Sequence, residues 1–331
     1  MPVNNKQEIK RYLNVIKRAM GFIEDILDND DGGTMEQLID QQVPPVQVSA
    51  AVPVQPVMQP VIQQPQQPAQ PDPARKNHIQ ELFKIDCWPE AVPPVLAEAE
   101  PTKEDQINRA NNVLDFMVDR DIEGKSFLDF GCGEGWITQE VAKRGVSEVL
   151  GYDIKDDKGW SDREGSIFTS DFKEIPKQHF DFVMIYDVLD HCVDPINVMA
   201  QVRSCIKPDG IVFVRCHPWT ARHATHMYKH GINKAYWHMF LTWDEVAEHT
   251  QEEPMFTRVE KDPVEAYRWW FKDFNTEKER IIEEDVSEFF LVPAFKELLA
   301  NEQQMPLNEI DGYLAKMRIQ FVDYCISPKK N

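Results

Sequence analysis

From residue 126 to residue 216 short apolar runs alternate with helical stretches: SFLDF, WITQEVAKRG, EVLGYDI, SIFTSDF, FDFVMIYDVL, PINVMAQVRSCI and GIVFVRC. Brief β-runs joined by helix-length segments pair in parallel, and a parallel sheet is stable only when helices cover both faces. The pattern therefore predicts an α/β fold with a doubly wound, mostly parallel sheet. Upstream, Thr102 and Asp105 form a candidate capping box, and Ile107, Ala110, Leu114 and Met117 give one apolar helical face. Downstream, EAYRWWFKDF and RIQFVDYCIS are expected to be two closing strands, which makes seven, with a helical insertion at about 283–317 between them.

The 331 residues divide into an N-terminal tether over 1–40, a linker over 41–75 and a domain over 76–331. In the tether, Ile9, Leu13, Ile16, Met20, Ile23 and Leu27 follow the spacing of a coiled-coil seam. A single helix this short is marginal in water. Residues 5–28 are therefore expected to dock on the domain, to self-associate or to bind a protein partner. Residues 41–75 are rich in Pro, Gln, Val and Ala. Repeated prolines break helices and remove strand donors, so this segment is expected to be an extended, disordered linker reaching on the order of 30 Å. A formal charge of −20 disfavours generic nucleic-acid binding. Six scattered cysteines without a C-x-x-C pair suit reduced thiols, and no apolar run suits a signal peptide or a bilayer span. The expectation is a soluble, cytoplasmic protein with no membrane partner.

FLDFGCGEGWIT, residues 127–138, ends the first strand and turns into a helix through Gly131, Cys132, Gly133, Glu134 and Gly135. Glycine admits backbone angles closed to other residues and lets a ligand approach the main chain. The helix start adds free amides for a carboxylate or similar acceptor group. A dinucleotide fingerprint needs a third glycine where Trp136 stands, and Asp129 directly before the turn suits a cationic ammonium better than a pyrophosphate. Asp153 closes the second strand, where a carboxylate can grip a ribose diol, and Ile154 can lie on an adenine face. Asp171 and Phe172 follow the third strand, placed for an adenine amino group, and Tyr186 and Asp187 end the fourth. Each acid could be an ordinary cap or loop residue; the order of four strand ends is what singles them out.

LDFGCGEG, VLGYDI, SDF, FDFVMIYDVLDHCVDP and IKPDGIVFV together resemble the class I S-adenosylmethionine-dependent methyltransferases, and within them the type 11 methyltransferase domain group. The resemblance covers about 104–262 and implies a Rossmann-like methyltransferase fold with S-adenosylmethionine as cofactor. On the matching positions it implies that the glycine loop with Asp129 takes the methionine end, Asp153 the ribose, and Asp171 with Phe172 the adenine. It also implies that VLDHCVDP lies beside the methyl donor.

The acceptor is less legible. RCHPWTARHATHMYKHGINKAYWHMF holds His217, His223, His226, His230 and His238, five of the nine histidines, on the substrate side of such a fold. Three readings of these histidines stand side by side: caps in an irregular lid, a base or acceptor clamp, or a metal site with Cys216, for which the spacing matches no standard zinc pattern. His217 is the first candidate for the base and His191 the second, with Trp219, His223, His226 and Tyr236 as acceptor walls, and no metal is expected. The stretch after the fourth strand is YDVL rather than the Asn-Pro-Pro-Tyr type of amino-methylating nucleic-acid enzymes. A small-molecule or surface-presented acceptor is expected, with a non-catalytic scaffold acting through the N-terminal segments as the competing reading.

Overall fold

The computed structural model describes residues 73–98, 101–250, 263–288, 292 and 294–330. The expectations for residues 5–28, and for the linker up to residue 72, lie outside the described residues. The described chain enters through helix α1 (Pro73–Phe83), three residues inside the segment read as linker. Arg75 fixes this entry: its guanidinium donates to Glu302 at 2.6 Å, to the Phe240 carbonyl at 2.7 Å and to Glu245 at 3.1 Å. After α2 (Pro94–Glu98), helix α3 (Lys103–Met117) starts on the expected capping box, with the Thr102 hydroxyl accepting from Asp105 N and the Asp105 carboxylate accepting from Thr102 N. It buries Ala110, Val113, Leu114 and Met117.

Seven strands follow in the order β3-β2-β1-β4-β5-β7-β6. They are β1 (Ser126–Phe130), β2 (Glu148–Tyr152), β3 (Ile167–Thr169), β4 (Phe180–Tyr186), β5 (Ile206–Cys216), β6 (Phe274–Glu283) and β7 (Ile319–Pro328). The first five pair in parallel, and β7 runs antiparallel between β5 and β6. Helix α4 (Trp136–Ala142) joins β1 to β2, and α5 (Pro195–Cys205) joins β4 to β5. The two-residue period of the strands sorts side chains between two cores. In β4, Val183 and Ile185 face one, with Met199 and Val202 of α5, whereas Phe182 and Met184 face the other, with Leu114 of α3 and Val141 of α4. By the same period Asp129 shares the face of Phe127, toward α3 and α4.

The sequence expectation of a strand at EAYRWWFKDF is corrected. Helix α7 (Pro263–Trp270) occupies most of it, with Pro263 in its first turn, and Tyr267 and Trp270 one helical turn apart in the first core. Strand β6 begins only at Phe274. Between β6 and β7 lie α8 (Phe295–Glu302) and α9 (Ile310–Met317). With α1, the loop around 227–241 and α6 (Trp243–Thr250), they build a separate core that includes Trp88, Trp237, Phe240, Phe295 and Leu314.

Candidate functional site

The strand order reverses between β1 and β4, and the carboxyl ends of β1, β2, β3, β4 and β5 all open on the same edge of the sheet. Ligands of doubly wound sheets bind at that edge. After β1 the chain passes through Gly131, Gly133 and Gly135, with φ of 83°, 50° and 80°. The three glycines serve different ends. A Cβ on Gly131 would meet Val188 Cγ2 at 2.3 Å, and one on Gly135 would meet Phe168 Cε1 at 2.6 Å, so those two permit close packing of the protein on itself. A Cβ on Gly133 meets nothing within 4 Å, so this glycine faces open space.

The loop is tied to the end of β2. Gly131 N and Cys132 N donate to the Tyr152 carbonyl at 2.7 and 2.9 Å, and Gly133 N donates to Asp153 Oδ2 at 2.9 Å. The amides expected to cradle a ligand are therefore partly used inside the protein. From outside, Trp160 Nε1 donates to the Gly133 carbonyl at 2.7 Å and Arg163 Nε to the Glu134 carbonyl at 3.0 Å. The Trp160 ring stacks on Phe168, and the Arg163 guanidinium lies 3.4 Å over the Trp136 ring. Sequence reading missed this latch, because the stretch around KGWSDR resembles an ordinary polar turn.

Asp129 is almost fully buried and accepts a 2.7 Å hydrogen bond from the Thr138 hydroxyl. Burial pushes its carboxyl up to about 6, against the hydroxyl bond that pulls it down. Cys132 beside it is likewise pushed up by burial, which keeps the thiol protonated. Asp153 turns its carboxylate to the loop, and Ile154 next to it is 67% exposed. Asp171 caps the short turn after β3 by accepting from Lys173 N at 2.9 Å, and Phe172 packs edge-on against Phe130 and Tyr152. The crevice thus offers a buried acid with no cationic partner in hydrogen-bonding contact among the described residues, a carboxylate at the strand end, an exposed apolar side chain and an open backbone position. That set fits S-adenosylmethionine: a cationic amino-acid end for Asp129, a sugar diol for Asp153 and a flat base for Ile154.

On the other side of the reversal, β4 leads through Tyr186 to Asp187, which adopts φ 60°. Two of the six described non-glycine residues with positive φ, Asp187 and His226, belong to this region. Backbone strain of this kind persists where surrounding structure imposes it, and it clusters at functional sites. His191, His217, His223 and His226 converge here. Ring centroids lie 4.8 Å apart for His217–His223 and 5.7 Å for both His217–His226 and His191–His226. Tyr228 and Phe321 complete the wall, 6.1 and 6.3 Å from the His223 ring.

The structure brings His223 and His226 together as partly exposed residues but withdraws His217, which is 0% exposed, with Nδ1 3.8 Å from Asp187 Oδ1. Burial drives His217 well below the usual imidazole range and holds His226 down at about 2; His223 is lowered too, although Asp187 opposes this. All three are thereby kept neutral. Tyr236 is a correction: it is 0% exposed, and its hydroxyl donates to the Met317 carbonyl at 2.8 Å and to Glu284 at 3.0 Å. Trp219 is also withdrawn, its carbonyl hydrogen-bonded to His238. Both are packing residues and line no opening.

Asp190 was also missed. It is buried and accepts from His217 N at 2.6 Å and from the Tyr267 hydroxyl at 2.8 Å. Burial raises its carboxyl to about 8. It pins the start of the histidine segment to α7. No nearby sequence signal reveals it, because Tyr267 lies 77 positions away. Among the described residues, no group of three or more His, Cys, Asp or Glu side chains is arranged to hold a metal ion, and no helix is long and apolar enough to cross a membrane.

The chain is 30% identical over 105 residues to a ubiquinone biosynthesis O-methyltransferase of Neisseria meningitidis serogroup C, covering 28% of this chain and 44% of that protein. It is also 30% identical over 103 residues to a protein of the same name in Hydrogenovibrio crunogenus, covering 28% and 42%. The chain thus spans less than half the length of the curated relatives it matches. Among solved structures, a protein of Pyrococcus horikoshii OT3 aligns over 72% of this chain and 97% of its own, with a TM-score of 0.44 and 17% identity. Coclaurine N-methyltransferase bound to N-methylheliamine and SAH aligns over 77% and 87%, with a TM-score of 0.42 and 13% identity. The methyltransferase domain family matches residues 103–280, from the capping-box helix into β6 and across more than half of the sequence, and the chain belongs to that family.

Proposed function

We propose that this protein transfers a methyl group from S-adenosylmethionine to a hydroxyl of a small-molecule or surface-presented acceptor. One observation carries the reading: the open side of Gly133 lies in a loop fixed against the Asp153 carboxylate, at the edge where the strand order reverses. When bound, S-adenosylmethionine supplies an activated methyl on a positively charged sulfur. The chain's part is then to bind, orient and exclude water, and to take a proton where the acceptor must lose one. Asp129 and Asp153 hold the two polar ends of the cofactor, and Ile154 covers the base.

His223 is the side chain we assign to the acceptor proton. It is partly exposed and neutral, and its buried Nδ1 has no hydrogen-bond partner. His217, the first candidate from sequence, lies behind it and orients the ring, and His191 stacks on His226 at the edge of the cluster. Oxygen as the methylated atom is supported by the need such an acceptor has for a base, and by the names of the curated relatives, which describe O-methyltransferases. Calorimetry with S-adenosylmethionine tests the reading. Asp153→Ala is expected to weaken binding at least tenfold, and a wild-type protein that binds none would overturn the proposal.

A further inference from the structure

The glycine loop is held from two sides, and the outer hold comes from a part of the chain beyond the glycine motif. On the inner side, Asp153 accepts from Gly133 N at 2.9 Å, and the Tyr152 carbonyl accepts from Gly131 N and Cys132 N. On the outer side, the carbonyls of Gly133 and Glu134 accept from Trp160 Nε1 at 2.7 Å and Arg163 Nε at 3.0 Å. The bonds to the N–H and the carbonyl of Gly133 flank its Cα, and together they fix both of its soft dihedrals, with φ at 50°. Its Cβ side stays open, with nothing within 4 Å.

The outer hold is built by the connection from β2 to β3, residues 153–166, which carries no α-helix. It makes one tight turn, Lys158–Asp162, capped by Asp157, whose carboxylate accepts from Gly159 N at 2.6 Å. Arg163 N donates to the Trp160 carbonyl at 3.1 Å, so the two residues stand one turn apart and share a face. Aromatic rings then aim their donors. Trp160 stacks on Phe168 with centroids 5.1 Å apart and planes at 13°, and the Arg163 guanidinium lies 3.4 Å over Trp136. Trp136 is itself held by Glu134, which accepts from its Nε1 at 2.8 Å. An indole N–H and a guanidinium can only donate, which suits them to carbonyls. A loop with three left-handed glycines is entropically costly to order without such partners.

We infer that Trp160 and Arg163 are positioning residues for the cofactor: they hold the glycine loop in its binding shape before S-adenosylmethionine arrives, acting through the Gly133 and Glu134 carbonyls. This rests on the proposed methyl transfer. A loop ordered in advance loses no affinity to its own ordering. Without the latch the loop samples other shapes, and the apparent affinity falls with the fraction that keeps the binding shape. A latch that served the fold alone would affect stability and leave that fraction unchanged.

The test uses the full-length protein. Trp160→Phe keeps a ring for the Phe168 stack and removes the donor, Arg163→Met removes the guanidinium, and Arg163→Lys returns a charged donor. Calorimetry with S-adenosylmethionine is expected to give a Kd about three- to tenfold weaker for Trp160→Phe and for Arg163→Met, the worth of one hydrogen bond, with part of the loss recovered in Arg163→Lys. Arg203→Gln is the control, since it removes a 2.8 Å guanidinium bond to the Lys329 carbonyl beyond the end of β7. It should cost as much in a urea melt as the latch variants and leave the Kd unchanged. In the cofactor-free protein, hydrogen exchange at the Gly133 amide should be faster in Trp160→Phe and Arg163→Met than in wild type, and saturating cofactor should restore protection. Unchanged Kd in both latch variants, unchanged exchange at Gly133, or an equal loss of affinity in Arg203→Gln overturns the inference. A wild-type protein that binds no S-adenosylmethionine would instead sink the methyltransferase reading, and the cofactor-free exchange reads the latch in either case.

Discussion

Gly133 and Asp129 show how single residues in this crevice separate folding from ligand binding. Gly133→Ala meets open space, so its cost is the left-handed backbone alone, about 1–2 kcal/mol, but it puts a methyl where a ligand must approach. Gly131→Ala adds a collision with Val188 to the same strain. Denaturant melts and calorimetry should therefore diverge: Gly133→Ala keeps most of its stability and loses cofactor affinity, whereas Gly131→Ala loses stability more severely. Asp129 gives a second test. Its carboxyl is raised to about 6 in the free protein, and a cation placed beside it must lower that value. Cofactor binding at pH 5–6 should release protons, and the release should vanish near pH 8. Titrations in two buffers of different ionisation enthalpy measure this; proton uptake would contradict the assignment.

At the scale of elements, strand pairing places charge where a sheet seldom tolerates it. Arg215 on β5 and Asp323 on β7 face each other in register and form a two-pronged pair at 2.6 and 2.8 Å, with Arg280 of β6 reaching the same carboxylate at 2.9 Å. Asp323→Ala leaves a buried guanidinium without its main partner, and should lower stability by about 3–5 kcal/mol in a urea melt. The elements themselves were largely legible. Alternating apolar runs gave the parallel strands, because a strand buried on both faces must be apolar throughout, and Thr102 with Asp105 marked the start of α3. The misreading fell at α7, where Tyr267, Trp269 and Trp270 have strand-like propensity and the helix exists because tertiary packing buries Tyr267 and Trp270. In the site, the glycine loop and Asp153 were readable because they are local. Asp190, the exclusion of Tyr236 and the latch by Trp160 depend on partners distant in sequence, and no spacing encodes them.

For the whole molecule, buried titratable groups set opposing pH dependences. His217, His223 and His226 are lowered, so between their folded values and about 6.5 the unfolded chain binds more protons, and stability falls as pH drops below about 6.5. Asp190 is raised to about 8, so from about pH 4 to 8 it favours the protonated folded state, and its contribution is lost as pH rises through 8. Three histidines outweigh the raised carboxyls below 6.5, and Asp190 acts above it. Stability should therefore peak near pH 6.5–7, and Asp190→Asn should flatten the decline between 7 and 8; urea midpoints measured from pH 5 to 8.5 would reveal a different optimum. The Trp160 indole, bonded to the Gly133 carbonyl and stacked on Phe168, sits where a ligand over the loop would alter its surroundings. Occupancy of the crevice should thus be visible as a change in intrinsic fluorescence, with Trp160→Phe silencing the signal, so the protein carries its own optical gauge of ligation.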